Sequence, residues 1–197
     1  MTNNQKLNSY FKNNIIRVKA LVLLILLPSI GFTQNVLFIT NSGSVSFTSD
    51  APLEMIKASS GTIAGALKSS DKSFAFSVQV KSFEGFNSSL QRTHFNENYL
   101  ESDKYPKITF EGRIIEDINI EKTGTYNIRG KGRLTIHGIQ QERIIPCKLT
   151  IEKGKLSVSS KFTVFLVDHN IKIPSVVNQK IAEEISVTIN IEMVVKK

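Results

Sequence analysis

The chain has 197 residues, of which 41% are hydrophobic and 21% are charged, a balance that is typical of globular proteins. This composition excludes a largely disordered chain and a membrane protein with several spans, and the length suits one sizeable domain better than two. The net charge of +8 does not require nucleic acid as a partner, because four of the 25 basic residues lie in the first 34 residues, which contain no acidic residue.

The first 33 residues are predicted to be an export signal. Basic residues precede the apolar run ALVLLILL at positions 20–27, which ends at Pro28. A membrane-spanning helix needs roughly 20 apolar residues, so cleavage is favoured over the alternative of an uncleaved membrane anchor. We expect the cut near Thr33–Gln34, with Gly31–Phe32 as the competing position. Residues 34–197 would then form one domain in the periplasm or outside the cell.

Along the remaining chain, apolar and polar residues alternate with a period of two, which is typical of strands that bury one face. Five segments, in chain order, carry the apolar faces: Phe74, Phe76, Val78 and Val80; Ile108, Phe110 and Ile114; Ile145, Cys147, Leu149 and Ile151; Leu156, Val158, Phe162, Val164 and Leu166; Ile185, Val187, Ile189, Ile191 and Met193. Turn-forming residues at 41–43, 70–72, 122–124, 137–138 and 153–154 predict that hairpin follows hairpin. About eight such strands close as a barrel or stack as a sandwich, and the alternation does not separate these two arrangements.

One stretch interrupts the alternation and predicts a short helix. Residues 87–101 (NSSLQRTHFNENYLE) place Leu90, His94 or Phe95, and Tyr99 at near-helical spacing, and Asn87 or Ser88 is positioned to cap the N-terminus. A second helical turn is expected within residues 175–184.

Chemical motifs are sparse. Cys147 is the only cysteine, which excludes an intramolecular disulfide, and its strand position predicts a buried, inert thiol. None of the three histidines lies within four residues of another histidine or a cysteine, so no metal-ligand spacing is present. Asp168 beside His169 suggests a dyad, but neighbours on a strand point to opposite faces. We therefore predict no catalytic residues, no metal and no cofactor.

Two motifs, one in the helix and the strand that follows and one further along, resemble the YceI family. Residues 94–110 contain His94-Phe95, Tyr99-Leu100-Glu101 and the segment KYPKITF, which resemble the family's His-Leu, Phe-Phe-Asp and Tyr-Pro-x-x-x-Phe pattern. The segment GKGRLTIHGI at 130–139 resembles the family's Gly-x-Leu-Thr-Ile-x-Gly hairpin. The chain departs from the pattern at 166–171 (LVDHNI), where many members carry an Arg and Asp-Phe-Gly-Ile.

The resemblance implies an all-β, lipocalin-like antiparallel barrel that holds a long polyisoprenoid chain and is not an enzyme. We expect the lining to include the apolar-face residues of three segments, and His94 is the candidate for contacting the lipid head group. The expected lining residues are Phe74, Phe76, Val78, Ile108, Phe110, Phe162 and Val164. From the residues alone, the same set also suits an ordinary core.

Two alternatives remain open at this stage. The first is a non-catalytic stress-response or interaction module whose barrel is filled by side chains. The second concerns Arg129, Lys131 and Arg133, which share one strand face. We expect that face to be an outward, solvated surface, and the alternative is a contact for anionic head groups. Transient contact with a membrane surface is a further expectation.

Overall fold

The computed structural model describes residues 36–196, so the predicted export signal lies outside the described residues. Ten β-strands dominate the fold, and one α-helix (α1, Ser89–His94) continues into a π-helical turn at Phe95–Tyr99. Short 3-10 turns occur at Val80–Ser82, Leu166–His169 and Ser175–Val177. The strands are β1 Leu37–Thr40, β2 Gly43–Asp50, β3 Met55–Ser60, β4 Ala64–Lys68, β5 Ser73–Gln79, β6 Lys107–Ile114, β7 Gly124–Ile136, β8 Ile139–Glu152, β9 Lys155–Phe165 and β10 Glu184–Val195.

The strands close into an antiparallel barrel. The sheet order is β1-β4-β5-β6-β7-β8-β9-β10, and pairing of Phe38 with Val195 joins β1 back to β10. β1 and β2 follow one another along β10 and act as one interrupted strand. β3 pairs with β2 and β4 pairs with β1, so β3 and β4 act as a second interrupted strand. The predicted barrel of about eight strands with one short helix is confirmed. The expected hairpin at residues 41–43 is wrong, because β1 and β2 both run antiparallel to β10.

Aromatic rings occupy the inner face of the barrel because glycine leaves room opposite them. Gly130 on β7 lies on this face, where a Cβ atom would be 3.1 Å from the Phe74 ring and 3.4 Å from the Phe110 ring. The two rings themselves are 5.0 Å apart between centroids. The small residues of the GKGRLTI segment therefore make space for large side chains on β5 and β6.

One end of the barrel, here called the sealed end, is filled by side chains. The inner faces of β8, β9 and β10 contribute Ile151, Leu156 and Met193, all of which are buried. Ile120, from the loop between β6 and β7, is also buried in this core. Burial of this kind supplies most of the stability of a domain without disulfides.

The opposite end, here called the cavity end, carries α1 and the longer loops. The side-chain oxygen of Ser88 accepts a hydrogen bond from the backbone N–H of Gln91 and caps α1, so the prediction of a helix with a cap at Asn87 or Ser88 is confirmed with Ser88 as the cap. The 3-10 turn at Ser175–Val177 lies where the second helical turn was expected. Within residues 36–196, no helix is long and apolar enough to cross a membrane.

The barrel wall has a split between β8 and β9. These strands pair from Glu152↔Lys155 only as far as Lys148↔Ser159, beyond which β8 pairs with β7 alone. Pro146 lies two residues before Lys148 on β8, and proline has no N–H to continue the hydrogen-bond ladder toward β9. Three side chains cross the split instead: Ser160 Oγ donates to Pro146 O at 2.7 Å, Arg143 Nη2 to Thr163 O at 2.6 Å, and Gln141 Nε2 to Asp168 O at 2.7 Å.

Candidate lipid-binding cavity

A cavity of about 340 Å³ extends from the cavity end into the barrel. This volume lies within the range of about 300–1,000 Å³ that is typical of small-molecule sites. Its lining is formed mainly by aliphatic and aromatic side chains of the inner barrel face. Several of these, among them Phe110, Phe162 and Val187, are only half-buried although they lie inside the barrel, because one side of each faces empty space.

All eight residues selected from the sequence lie along this cavity. Phe74, Val78 and Val164 are buried against neighbouring side chains, whereas His94 is exposed at the cavity end. The other four, Phe76, Ile108, Phe110 and Phe162, are half-buried. Their role in lipid binding stays a prediction, and the structure establishes their position.

A cluster of four phenylalanines at the cavity end was not predicted. Phe95, from the π-helical turn, stacks on Phe47 of β2 at 5.4 Å between centroids with an interplanar angle of 15°. It also contacts Phe86 at 5.1 Å and Phe83 at 5.7 Å. Phe83 and Phe86 lie in a loop without alternation, so no periodic signal marks them. The near-helical spacing of Phe95 predicted a helix but none of its contacts with the other three rings.

Four polar side chains line the mouth of the cavity: Glu54, Gln91, His94 and Lys180. Gln91 Nε2 donates a hydrogen bond to Glu54 Oε1 at 2.6 Å, which ties α1 to the loop between β2 and β3. No hydrogen bond of the His94 side chain is found among the described residues. His94 is therefore oriented at the mouth without a fixed partner in this part of the chain, and can contact a polar group of a ligand.

The two family-like motifs meet at the cavity end. The hairpin turn between β7 and β8 contains His137 and Gly138, and the ring of Tyr105 packs on both. A Cβ atom at position 138 would be 2.4 Å from the Tyr105 ring, and Gly138 has a φ of +73°, so only glycine suits this turn. The Tyr-Pro motif and the Gly-x-Leu-Thr-Ile-x-Gly motif thus form one structural unit beneath α1.

His137 also bonds the loops around it. Its Nε2 is 2.7 Å from Glu101 Oε2 and its Nδ1 is 3.1 Å from the carbonyl oxygen of His169. Both partners are acceptors, so the ring makes both bonds at once only when both nitrogens carry protons. Glu101 follows the π-helical turn and His169 ends a 3-10 turn, so this histidine joins both segments to the barrel.

The remaining candidate reactive groups are Cys147 and the neighbouring residues Asp168 and His169. Cys147 faces the interior, where its Sγ donates to Ile145 O at 3.5 Å and burial raises the pKa of the thiol. His169 is fully buried, and burial lowers the pKa of its ring. Asp168 and His169 were expected to be neighbours on a strand, which is wrong. Both lie in a 3-10 turn, and Asp168 is exposed. Within residues 36–196, no group of three metal-ligating side chains could hold an ion.

A closed antiparallel barrel of eight strands with an apolar internal cavity defines the class of lipocalin-like proteins. The chain belongs to the YceI family, because the family model of the YceI-like domain matches residues 36–193. A search of curated protein sequences found no match.

Solved structures with the same fold agree with this assignment. A polyisoprenoid-binding domain from Saccharophagus degradans, implicated in plant cell wall breakdown, aligns with a TM-score of 0.67 at 10% identity over 83% of this chain and 100% of that one. BcnA from Burkholderia cenocepacia aligns with a TM-score of 0.62 at 16% identity over 76% and 95% of the two chains. The YCEI protein of Campylobacter jejuni aligns with a TM-score of 0.52 at 15% identity over 64% and 73%. At these identities the likeness shows the fold alone.

Proposed function

We propose that this protein binds a long-chain apolar lipid of the isoprenoid class inside the barrel and carries it outside the cytoplasm without catalysing a reaction. The main support for this proposal is the apolar cavity, because side chains in the middle of its walls, including Phe110 and Phe162, remain half-buried. The polyisoprenoid binding named for the Saccharophagus degradans domain supports the choice of ligand. The predicted export signal supports a periplasmic or secreted location.

Burial of the lipid chain supplies the affinity. Each methylene removed from water contributes about 0.8 kcal/mol, which exceeds the cost of ordering a chain once some tens of carbons are enclosed. Phenylalanine rings suit an unsaturated chain, since their faces and edges pack against flat alkenes. The sealed end is filled by side chains, so the polar end of the lipid would stay at the mouth near His94 and Lys180. A cavity of this kind is not expected of the alternative, a barrel filled by its own side chains.

The test is to block the cavity without disturbing the barrel. Val187 on β10 pairs with Phe47 on one neighbouring strand and Phe162 on the other, so Val187→Phe adds a ring in the middle of the cavity. Asn190→Phe adds the same ring to the exposed face of the same strand and is the matched control. Lipid is extracted with organic solvent from protein purified from the native cell envelope and quantified by mass spectrometry.

We expect an isoprenoid lipid with the wild-type protein and with Asn190→Phe, and on the order of tenfold less with Val187→Phe. Both variants should unfold at temperatures close to that of the lipid-free wild type. Absence of lipid from the wild type, or equal lipid in both variants, would contradict the proposed function.

A further inference from the structure

The large apolar side chains that remain most exposed lie at the cavity end. Leu53 is 66% exposed, Leu90 61%, Val167 77% and Val176 86%, whereas no other large apolar residue of the described chain exceeds 54%. Exposed apolar side chains that are gathered in one region mark a contact with a protein or a membrane. We call these four residues the apolar rim.

The segments that carry the apolar rim are hydrogen-bonded to one another. The backbone N–H of Leu53 donates to Gln179 O at 2.9 Å, which joins the loop between β2 and β3 to the segment that follows β9. Asn87 Nδ2 donates to Met55 O at 3.0 Å, which joins the start of α1 to β3. The backbone N–H of Leu166, beside Val167, donates to Glu183 O at 2.9 Å, which joins the end of β9 to the start of β10. The rim residues therefore belong to one connected edge of the barrel.

Each rim residue is next in sequence to a residue that lines the cavity. The neighbouring pairs are Leu53 and Glu54, Leu90 and Gln91, Val167 and Leu166, and Val176 and Val177. The rim side chains are exposed while their neighbours line the opening. The apolar rim thus surrounds the mouth through which a lipid would pass.

The segment that carries Val176 is basic. Residues 170–182 include Lys172 and Lys180, both exposed, and no acidic residue, whereas single carboxylates, Glu54 and Asp168, follow Leu53 and Val167. Lysines beside an exposed apolar edge are the pattern of a segment that rests in the interface of an anionic bilayer, where apolar side chains enter the acyl boundary and ammonium groups meet phosphates.

We propose that the apolar rim docks onto an anionic phospholipid bilayer and opens the cavity directly to the membrane. Docking lets an apolar chain pass from bilayer to barrel without crossing water. The identity of the passing lipid rests on the proposed function, but docking does not, because the rim can bind vesicles whether or not the cavity is filled.

The test is flotation of the purified protein with vesicles of phosphatidylcholine, with or without about one third phosphatidylglycerol. The wild type should float with the anionic vesicles, and the double variant Leu53→Asp/Val176→Asp should bind them at least about tenfold more weakly. Ile144→Asp/Val194→Asp changes two exposed apolar residues away from the rim and should stay within about twofold of wild type. Lys172→Glu/Lys180→Glu should lose the preference for phosphatidylglycerol.

Thermal unfolding and the amount of co-purified lipid, measured on the same variants, separate the two proposals. Unchanged flotation of folded Leu53→Asp/Val176→Asp overturns the docking surface, even if the cavity still binds lipid. Rim-dependent self-association of the wild type without vesicle binding also overturns it, since the rim would then be an interface between copies. Vesicle binding by wild-type protein that never contains isoprenoid retains docking and contradicts only the proposed function.

Discussion

The sealed end and the cavity end are built from the same strands, yet the barrel interior is filled only at the sealed end, while at the cavity end a smaller buried cluster that includes Leu134 and Val164 borders the cavity. On β8, Ile151 is buried toward the sealed end, while Cys147, on the same inner face, is half-buried and lines the cavity. On β10, Met193 is fully buried and Val187 is half-buried. At the sealed end Ile120 enters from a loop and completes the core.

The difference teaches that a strand's alternation specifies which face is inside but not whether the inside is full. A full interior is close-packed, so every side chain lost from it leaves a void. A lined cavity already contains the void, and its walls contribute less to stability than their size suggests. The comparison can therefore be tested by measuring what each end contributes.

The largest expected effect separates the two ends directly. Leu156→Ala should lower the free energy of unfolding by about 2–5 kcal/mol, because Leu156 is fully buried away from the cavity and its truncation leaves a new void in a packed core. Phe110→Ala removes a larger side chain, but one side of its ring faces the cavity, so we expect less than the roughly 3–5 kcal/mol of a core phenylalanine. Denaturant unfolding of lipid-free protein measures both. A greater loss for Phe110→Ala than for Leu156→Ala would mean that the cavity end is an ordinary core.

Much of this architecture could be predicted from the sequence, and the limits have physical causes. Alternation located β5, β6 and β8 to β10, the family-like hairpin motif located β7, and the cap and spacing located α1. The strand kink at residues 41–43 was mistaken for a hairpin because the local turn residues are the same, and only the shared pairing with β10 distinguishes them. The split beyond Lys148 was not predicted, although Pro146, which has no N–H to continue the ladder, is a local signal for it.

The candidate site could be predicted in part for the same reason. The seven apolar lining residues and His94 followed from alternation and from the family resemblance. Phe83 and Phe86 could not, because they lie in a loop and meet Phe95 only through the π-helical turn, whereas Phe47 alternates with Val45 on β2 and was missed. The apolar rim was also missed, because single exposed apolar residues are common in loops and gain meaning only when the fold gathers them.

A smaller effect is expected from the pH dependence of His169. Its Nδ1 donates to Ile139 O at 3.2 Å, its Nε2 has no partner among the described residues, and burial lowers the pKa of the ring. The unfolded chain therefore binds a proton more readily than the folded protein. Stability due to this group is complete above the ordinary histidine pKa of about 6.5 and is lost as the pH falls below it.

His169→Asn keeps a donor toward Ile139 and removes this titration. At neutral pH the variant should lose about 1–2 kcal/mol of stability through poorer packing. Denaturant unfolding from pH 7.5 to 5.5 should show the gap between wild type and variant narrowing as the pH falls. A gap that stays constant or widens on acidification would contradict the burial of a neutral ring.

The smallest effect concerns Cys147, which lies between the packed core and the cavity. Its reactivity is measured on the unaltered wild-type protein. Burial raises the pKa of this thiol, so little of the reactive thiolate is present at neutral pH. The matched control is Lys148→Cys in a Cys147→Ser background, which places a thiol on the exposed outer face one residue away. With a small maleimide, we expect the native wild type to label on the order of tenfold more slowly than the control, and equally fast in denaturant. Because Cys147 lines the cavity, bound lipid should slow its labelling further and leave the control unchanged. Equal rates in the native proteins would place Cys147 on the outer face and reverse the register of β8, and with it the inner face that Leu149 and Ile145 share.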